Sequence, residues 1–505
     1  MLSTRRIGRE EITYEEAKNK ETNILHKLSY ISKQLRFYNH LYKRRNLIEE
    51  RVAHHLGLRT ATLCHVAEPT LWLNGSFNVC IPVLVDGASR VLMRFPLPYR
   101  VGEEFRPGNG DEKVRCEAGA YAWLQQECPT IPIPRLYGFS LSSGQCFTTV
   151  ECLNPIRRIF ERFRRLLLSI LHYPLPSPLI PHQCRLSNEL GPYLLLEYIE
   201  EGEMLSNTLD DRYNDEKLWT NLFRGLSRVI LMLSRIPLPK IGSFTVDDRG
   251  FLQLTNRPLT IQIQELENEC IPVNTARDQT YFSVDSYVNG LLSNHDIRLR
   301  YQPNAVNDKY DCINQMSALV VMRSLASQFF DYKLNTGPFV FCLTDLHASN
   351  IIVDNAWNIR CLIDLEWAAS LPIEFLRPPS WLTRQAVDVI DTEAYNIRRE
   401  EFMKIFEDEE SKLYPARSST YSTVMNRVWQ NGTFWYTLAL ESITGLNSLF
   451  YKRIQPKYSG SHLKDGHFYL VTHLYWSQNV EEFIDERVEA KKKYDQDLEN
   501  EFRAH

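Results

Sequence analysis

Between residues 341 and 369 the chain reads FCLTDLHASNIIVDNAWNIRCLIDLEWAA. Asp345, Asn350, Asp364 and Glu366 carry hard oxygen donors, and their spacing can bring them together. Residues 350–354 and 359–366 have strand character, and Asn355-Ala356-Trp357-Asn358 is a turn of a length hairpins accept. That register sets Asp354 against Ile359 and Asn350 against Ile363, next to Asp364. Strand alternation puts Asp364 and Glu366 on one face with Leu362 and turns Ile363 to the other. Asp345 falls in the loop above them. Carboxylates gathered beside apolar strands repel one another unless a positive group joins them. A hard divalent cation answers that need, and Mg²⁺ commonly binds one or two carboxylates together with substrate phosphates. An Asp and an Asn holding metal, with a separate Asp beside an acceptor hydroxyl, is the arrangement phosphoryl transfer requires. A polar turn whose acids cap and pair locally is the plainer alternative.

The pattern D-L-H-x-S-N followed by I-D-x-E-W resembles the Brenner-type motif of the aminoglycoside phosphotransferase family, a branch of the protein-kinase-like fold. GSFNVCIPVLVDG, VLMRFP, YLLLEYIEEG, IGSFTVDDRG, NRPL and IEFLRPPSWLT are similar to segments of its fungal members. The resemblance runs from about residue 71 to residue 382. It implies an α+β, two-lobe fold with a small β-rich N-lobe and a large, mainly helical C-lobe. It implies Asp345 as catalytic base, Asn350 and Asp364 as metal ligands, and Glu366 as the extra acid that sets this family apart from D-F-G kinases. Its cofactors would be Mg²⁺ with ATP or GTP as phosphoryl donor, and its acceptor a small-molecule hydroxyl.

Kinase logic then asks for a cation on the third strand and an acid on the next helix. Arg94 and Glu117 are the candidates. Val114, Glu117 and Tyr121 share one helix face, and Arg94 could hold Glu117 through a bidentate pair. Gly75 and Ser76, between the first two strands, stand where backbone N–H groups would cover a phosphate; a plain hairpin turn explains them as well. Glu197 and Ile199 match the family's adenine-binding hinge. Leu343 replaces the histidine the family usually has two positions before the base. His347 stands where protein kinases have lysine, and is either a phosphate contact or a structural histidine. A protein kinase is disfavoured, since Leu365 and Glu366 replace the Phe-Gly of D-F-G and no A-P-E segment follows.

The surrounding sequence divides into a helical N-terminal extension (1–58), a nucleotide-binding N-lobe (59–206), a C-lobe with the catalytic loop and metal site (207–415) and a C-terminal helical region (416–505). In the extension, Ile24, Leu28, Ile31 and Leu35 have helical spacing. Strand signals lie at 145–150, 193–198 and 243–254, and Asp86-Gly87 marks a hairpin. Residues 155–185 form a basic amphipathic insertion. Its part 155–171 suits an anionic membrane surface or a protein partner, or simply packs on its own lobe. Nine acids between Asp388 and Glu410 would attract a cationic acceptor, or are a solvated helix face. Residues 480–505 read as an exposed helical tail.

Composition sets the outer limits. The 505 residues carry 58 Lys and Arg against 62 Asp and Glu, a net charge of −4, which gives no reason to expect nucleic acid. The balance and the 44% hydrophobic content exclude a fibre and a disordered scaffold. Eleven scattered cysteines without a C-x-x-C pair read as reduced thiols of an intracellular, cytoplasmic protein. The start is charged and lacks a signal-peptide core. The uncharged stretch 166–184 is broken by Pro174, Pro176, Pro178 and Pro181, so no transmembrane segment is expected. The rival to an active phosphotransferase is a catalytically weak kinase-like binding or scaffold protein.

Overall fold

The structure, a computed structural model, describes residues 4–8, 10–183, 189–415, 420–459 and 467–503. Cys184 and the end of the expected insertion lie outside the described residues. The protein is a mixed α+β chain in which a strand-rich part comes first and helices dominate after it.

The main sheet has eight antiparallel strands. Its order is Cys64–Val66, Asn78–Val85, Ser89–Pro96, Tyr193–Glu197, Leu136–Ser140, Gln145–Thr149 and Leu179–Gln183, with Leu73–Asn74 paired to Asn78–Val85. The hairpin at Asp86-Gly87 forms as expected. Val85 pairs with Ser89, and Asp86 and Gly87 take φ of 51° and 66°, the left-handed pair that matches strand twist. Val79, Ile81, Val83, Met93 and Phe95 point to one face of the sheet, where Leu41, Ile48 and Val52 cover them. These last three come from helices Tyr30–Lys43 and Arg45–Leu56.

The N-terminal segment is therefore a structural layer of the sheet, and it is not wholly helical. It opens with the strand pair Arg5–Ile7 and Glu10–Ile12. The spacing from Ile24 to Leu35 spans a break at Ser29 between two helices, so its phase is lost and Leu35 is 66% exposed.

Helix Asn109–Glu127 lies against the other side of the sheet and joins it to the helical part. Gly119 lets it touch strand Ser243–Val246. A Cβ there would sit 2.3 Å from the Phe244 carbonyl oxygen. Two residues further along the helix, Tyr121 is fully buried. Trp123 stacks on Phe341 at 4.2 Å. Phe341 belongs to strand Phe339–Cys342, which pairs with Ala369–Pro372. The Cys342–Ala369 pairing closes the root of the segment between them, and that segment carries the acids.

Helix Val480–Arg503 is not an exposed tail. Val480, Ile484, Tyr494, Leu498 and Phe502 are buried. Its second half packs on Ile12, Ala17 and Ile24, and the Tyr494 hydroxyl accepts from the Ile24 backbone at 2.8 Å. The high charge belongs to the outer face of an amphipathic helix whose inner face meets the other end of the chain. Among the described residues, no helix is long and apolar enough to cross a membrane.

Candidate active site

The expected acidic hairpin is formed by strands Ile351–Val353 and Ile359–Leu362. Asn350 faces Ile363, whose N–H donates to the Asn350 carbonyl at 3.0 Å. A bulge shifts the far end, so Val353 pairs with Ile359 and Asp354 accepts the turn's N–H groups. The strand ends at Leu362, before the acids. Asp364 takes a left-handed φ of 59°, a costly conformation for a residue with a Cβ. Strand alternation therefore does not place Asp364 and Glu366; a strained bend does. Both carboxylates still reach one partner, Arg94.

Arg94 is 4% exposed, on strand Ser89–Pro96 opposite Cys80. Its Nη1 pairs with Asp364 and its Nη2 donates to Glu366 Oε2 at 2.6 Å. Glu117, also buried, sits 3.4 Å from Nε. The bidentate Arg94–Glu117 pair expected from sequence is thus replaced by one longer contact, because the hairpin acids take the guanidinium's two outer nitrogens. Burial pushes the Glu117 carboxyl up, with Arg94 opposing, and one of its oxygens has no hydrogen-bond partner.

Lys113 lies outside the sequence expectation. Its ammonium is 1% exposed, pairs with Glu366 and lies 4.6 Å from the centre of the Trp367 ring. It stands four residues before Glu117, so the i, i+4 rule that links Glu117 to Tyr121 also reaches Lys113. Asn78 is a second such residue, and its amide donates to Glu366 Oε2 at 2.7 Å. Burial alone would raise the Glu366 carboxyl, but Lys113 and Arg94 hold it well below the carboxylate range.

Asp345 lies above this cluster. The Asn350 amide donates to its carboxylate at 3.0 Å and to its carbonyl at 2.8 Å. Burial, then Glu366 and Asp364, push the Asp345 carboxyl up to about 7. His347 Nε2 is 3.6 Å from Asp345, and burial and Arg377 keep its imidazole below its ordinary value.

Leu343 is half-buried and packs on the core. Other groups hold the loop where a histidine was expected to. The Thr344 hydroxyl donates to the Trp367 carbonyl at 2.7 Å, and the Trp381 indole to the Leu346 carbonyl at 2.7 Å. Thr344→Val should loosen this loop at a cost of about 1 kcal/mol, seen as a lower midpoint in urea unfolding. An unchanged midpoint would mean the bond contributes nothing. A cavity of about 120 Å³ opens beside the loop, lined by Leu343, Thr344, His347, Phe375, Arg377 and Trp381.

The loop at Gly75 and Ser76 is a tight turn, with the Gly75 N–H donating to the Asn78 carbonyl at 2.9 Å. Arg100 holds the Ser76 carbonyl at 2.6 Å, and Phe77 packs edge-on against Trp367. This brings the turn over the acidic cluster. At Glu197 the backbone N–H donates to the Arg135 carbonyl at 2.8 Å, and the side-chain carboxylate accepts from the Arg135 N–H at 3.0 Å. Ile199 follows beyond the strand end, half-exposed. Of the nine acids from Asp388 to Glu410, Asp391, Glu393, Glu400, Glu407 and Asp408 are exposed and two are buried. Glu409 is buried on Arg228 at 2.6 Å, Glu410 accepts from the Tyr421 and Ser422 N–H groups, and Asp408 pairs with Lys412.

No protein-family model matches the chain, and no curated protein matches it. Among solved structures it is similar to a macrolide 2'-phosphotransferase type I, at 12% identity and a TM-score of 0.31, over 82% of this chain and 90% of that one. It is also similar to the apoenzyme of the macrolide 2'-phosphotransferase MphH from Brachybacterium faecium. There the identity is 10% and the TM-score 0.33, over 80% of this chain and 97% of that one.

Proposed function

We propose that the chain is a kinase-like, two-lobe phosphotransferase that uses ATP or GTP with Mg²⁺ to phosphorylate a hydroxyl of a small molecule. One observation carries this reading. Asp345, Asn350, Asp364 and Glu366 meet at one place, with Asp345 bonded to Asn350 and both hairpin acids on Arg94.

Among the described residues no three acids, histidines or cysteines stand together as a metal cage, so the dication reading is supported by the oxygen donors of Asn350 and Asp364, a small protein ligand set that Mg²⁺ accepts. Four carboxyl groups, those of Glu117, Asp345, Asp364 and Glu366, face two buried cations, Arg94 and Lys113. With all four ionised the acids outnumber the cations by two; burial raises the Glu117 and Asp345 carboxyls, and a bound dication would favour their charged forms. Asn350 and Asp364 are the residues that would hold Mg²⁺, and Asp364 is the most exposed acid of the set. When bound, the ion would supply charge neutralisation on the donor's phosphates.

The chain's own groups do the rest. Asp345 accepts the proton of the acceptor hydroxyl and aims its oxygen, while Asn350 fixes the carboxylate. Arg94 and Lys113 hold Asp364 and Glu366 in place. Three of Arg94's five N–H groups face carboxylates, and the other two are left for a phosphate. Gly75 and Ser76 cover the phosphates, and the Glu197 carbonyl and Ile199 N–H receive the base. The cavity beside His347 is far smaller than a drug-sized pocket, so it takes only the reacting end of the acceptor.

A second reading, a catalytically weak kinase-like binding or scaffold protein, is favoured by the packing of Phe77 on Trp367. Thermal unfolding with millimolar Mg·ATP or Mg·GTP separates the two. The phosphotransferase should gain about 2 °C or more, and lose most of that gain in EDTA. No shift with either nucleotide would overturn the enzyme reading.

A further inference from the structure

Helix Pro155–Ile170 is mounted in the opposite sense to an ordinary amphipathic helix. No residue in it is buried, and Ile156, Ile159, Phe163 and Ile170 are 62–83% exposed. At about 100° per residue, its apolar side chains from Ile156 to Leu171, Leu168 excepted, fall within an arc of roughly 140°. The less exposed positions, Arg158, Glu161, Arg165 and Leu168, lie on the other side. The polar side is thus the one fastened to the protein. Arg158 donates to the Leu153 carbonyl at 3.1 Å, and Arg165 to the Pro176 and Ser177 carbonyls at 2.6 and 2.8 Å. Ser177 is buried and its N–H donates to the Gly250 carbonyl, so this fastening is continuous with the fold. Tyr173 and Leu175, exposed just beyond the helix, extend the apolar surface.

The expectation that this helix packs on its own lobe is therefore overturned, and the exposed face needs another occupant. Contiguous apolar surface of this kind marks an interaction site. Its borders say what kind. Arg157 and Arg164 flank one edge of the apolar arc and Arg162 the other, with all three exposed. Five arginines stand against one acid, Glu161. An apolar strip between two cationic edges matches a lipid surface, whose acyl chains receive the strip while anionic headgroups meet the arginines.

We propose that helix Pro155–Ile170 docks flat on an anionic phospholipid bilayer, tethering the protein to a membrane surface without crossing it. The reading is independent of catalysis.

The test is co-sedimentation of the full chain with vesicles of phosphatidylcholine alone, or with phosphatidylserine at about a third of the lipid. Binding should appear with the anionic vesicles and weaken as salt is raised. The double variant Ile159→Glu/Phe163→Glu should abolish it. Arg157→Gln/Arg162→Gln should weaken it roughly thirtyfold, at about 1 kcal/mol for each arginine. Unchanged thermal unfolding of both variants would show that folding is intact, as their exposure requires. Failure to sediment with anionic vesicles would overturn the proposal. So would binding that survives the glutamate variant. Self-association that the glutamate variant dissolves, without vesicle binding, would assign the face to a second copy of the chain and overturn it equally.

Discussion

Asp345→Asn should lower phosphoryl transfer roughly 100- to 10,000-fold, the usual contribution of a general base, and at the same time make the protein more stable at pH 8. The two effects have one origin. In the folded chain the Asp345 carboxyl is raised to about 7 by burial and by Glu366 and Asp364, against an ordinary value of 3.8. Between those two pH values the folded chain keeps a proton that the unfolded chain has released. Stability therefore falls as pH rises through that window, and the penalty is complete above about 7. The amide carries no charge and avoids it. A shift of this direction on a side chain 23% exposed corresponds to roughly 1–3 kcal/mol after allowance for solvent. The advantage of the variant should shrink as pH falls towards 4. Thermal unfolding at pH 8 and pH 4.5 in chelator reads the stability arm without an acceptor. Nucleotide turnover, with an acceptor from a screen, reads the other. Undiminished turnover would refute the base assignment. A variant no more stable at pH 8 would refute the electrostatic account.

Glu366→Gln should destabilise the fold by about 3–5 kcal/mol, because it removes the acid from a buried ion cluster and leaves the cations behind. Arg94 would keep Asp364 and Glu117. Lys113 would lose its carboxylate partner and keep the faces of Trp367 and Phe77. Adding Lys113→Met should restore part of the loss, since the orphaned ammonium is then gone. The informative quantity is the coupling between the two sites, expected at about 1–3 kcal/mol. Urea midpoints of the two single variants and the double variant supply it. Additive losses would mean that Lys113 and Glu366 do not act on each other, and the cluster would have to be redrawn around Arg94 alone.

The parts of the site that were legible in the sequence are those settled over short distances. The Asp86-Gly87 turn, the pairing of Asn350 with Ile363 and the inward side of Glu117 each follow from turn chemistry, strand period or helix period. Lys113 was within reach of the same helix rule, but a lysine on a helix is ordinarily a solvated residue. Only contact with Glu366, more than two hundred residues away in the chain, makes its burial tolerable. The left-handed bend at Asp364 was out of reach, because an aspartate tolerates that conformation without requiring it; in the fold it accompanies the pairing with Arg94.

The sequence by itself determined which side chains share a face and which residue types could hold a cation and move a proton. It did not determine what each face meets. Helices Val480–Arg503 and Pro155–Ile170 are both charged and amphipathic, yet the tertiary structure buries the apolar side of the first and exposes that of the second. The physical reason is that periodicity is a property of one element, whereas burial needs a partner surface. Ile12, Ala17 and Ile24 supply that surface at the C-terminal helix. At the insertion, Arg158 and Arg165 tie the polar side to the protein and turn the apolar side outward.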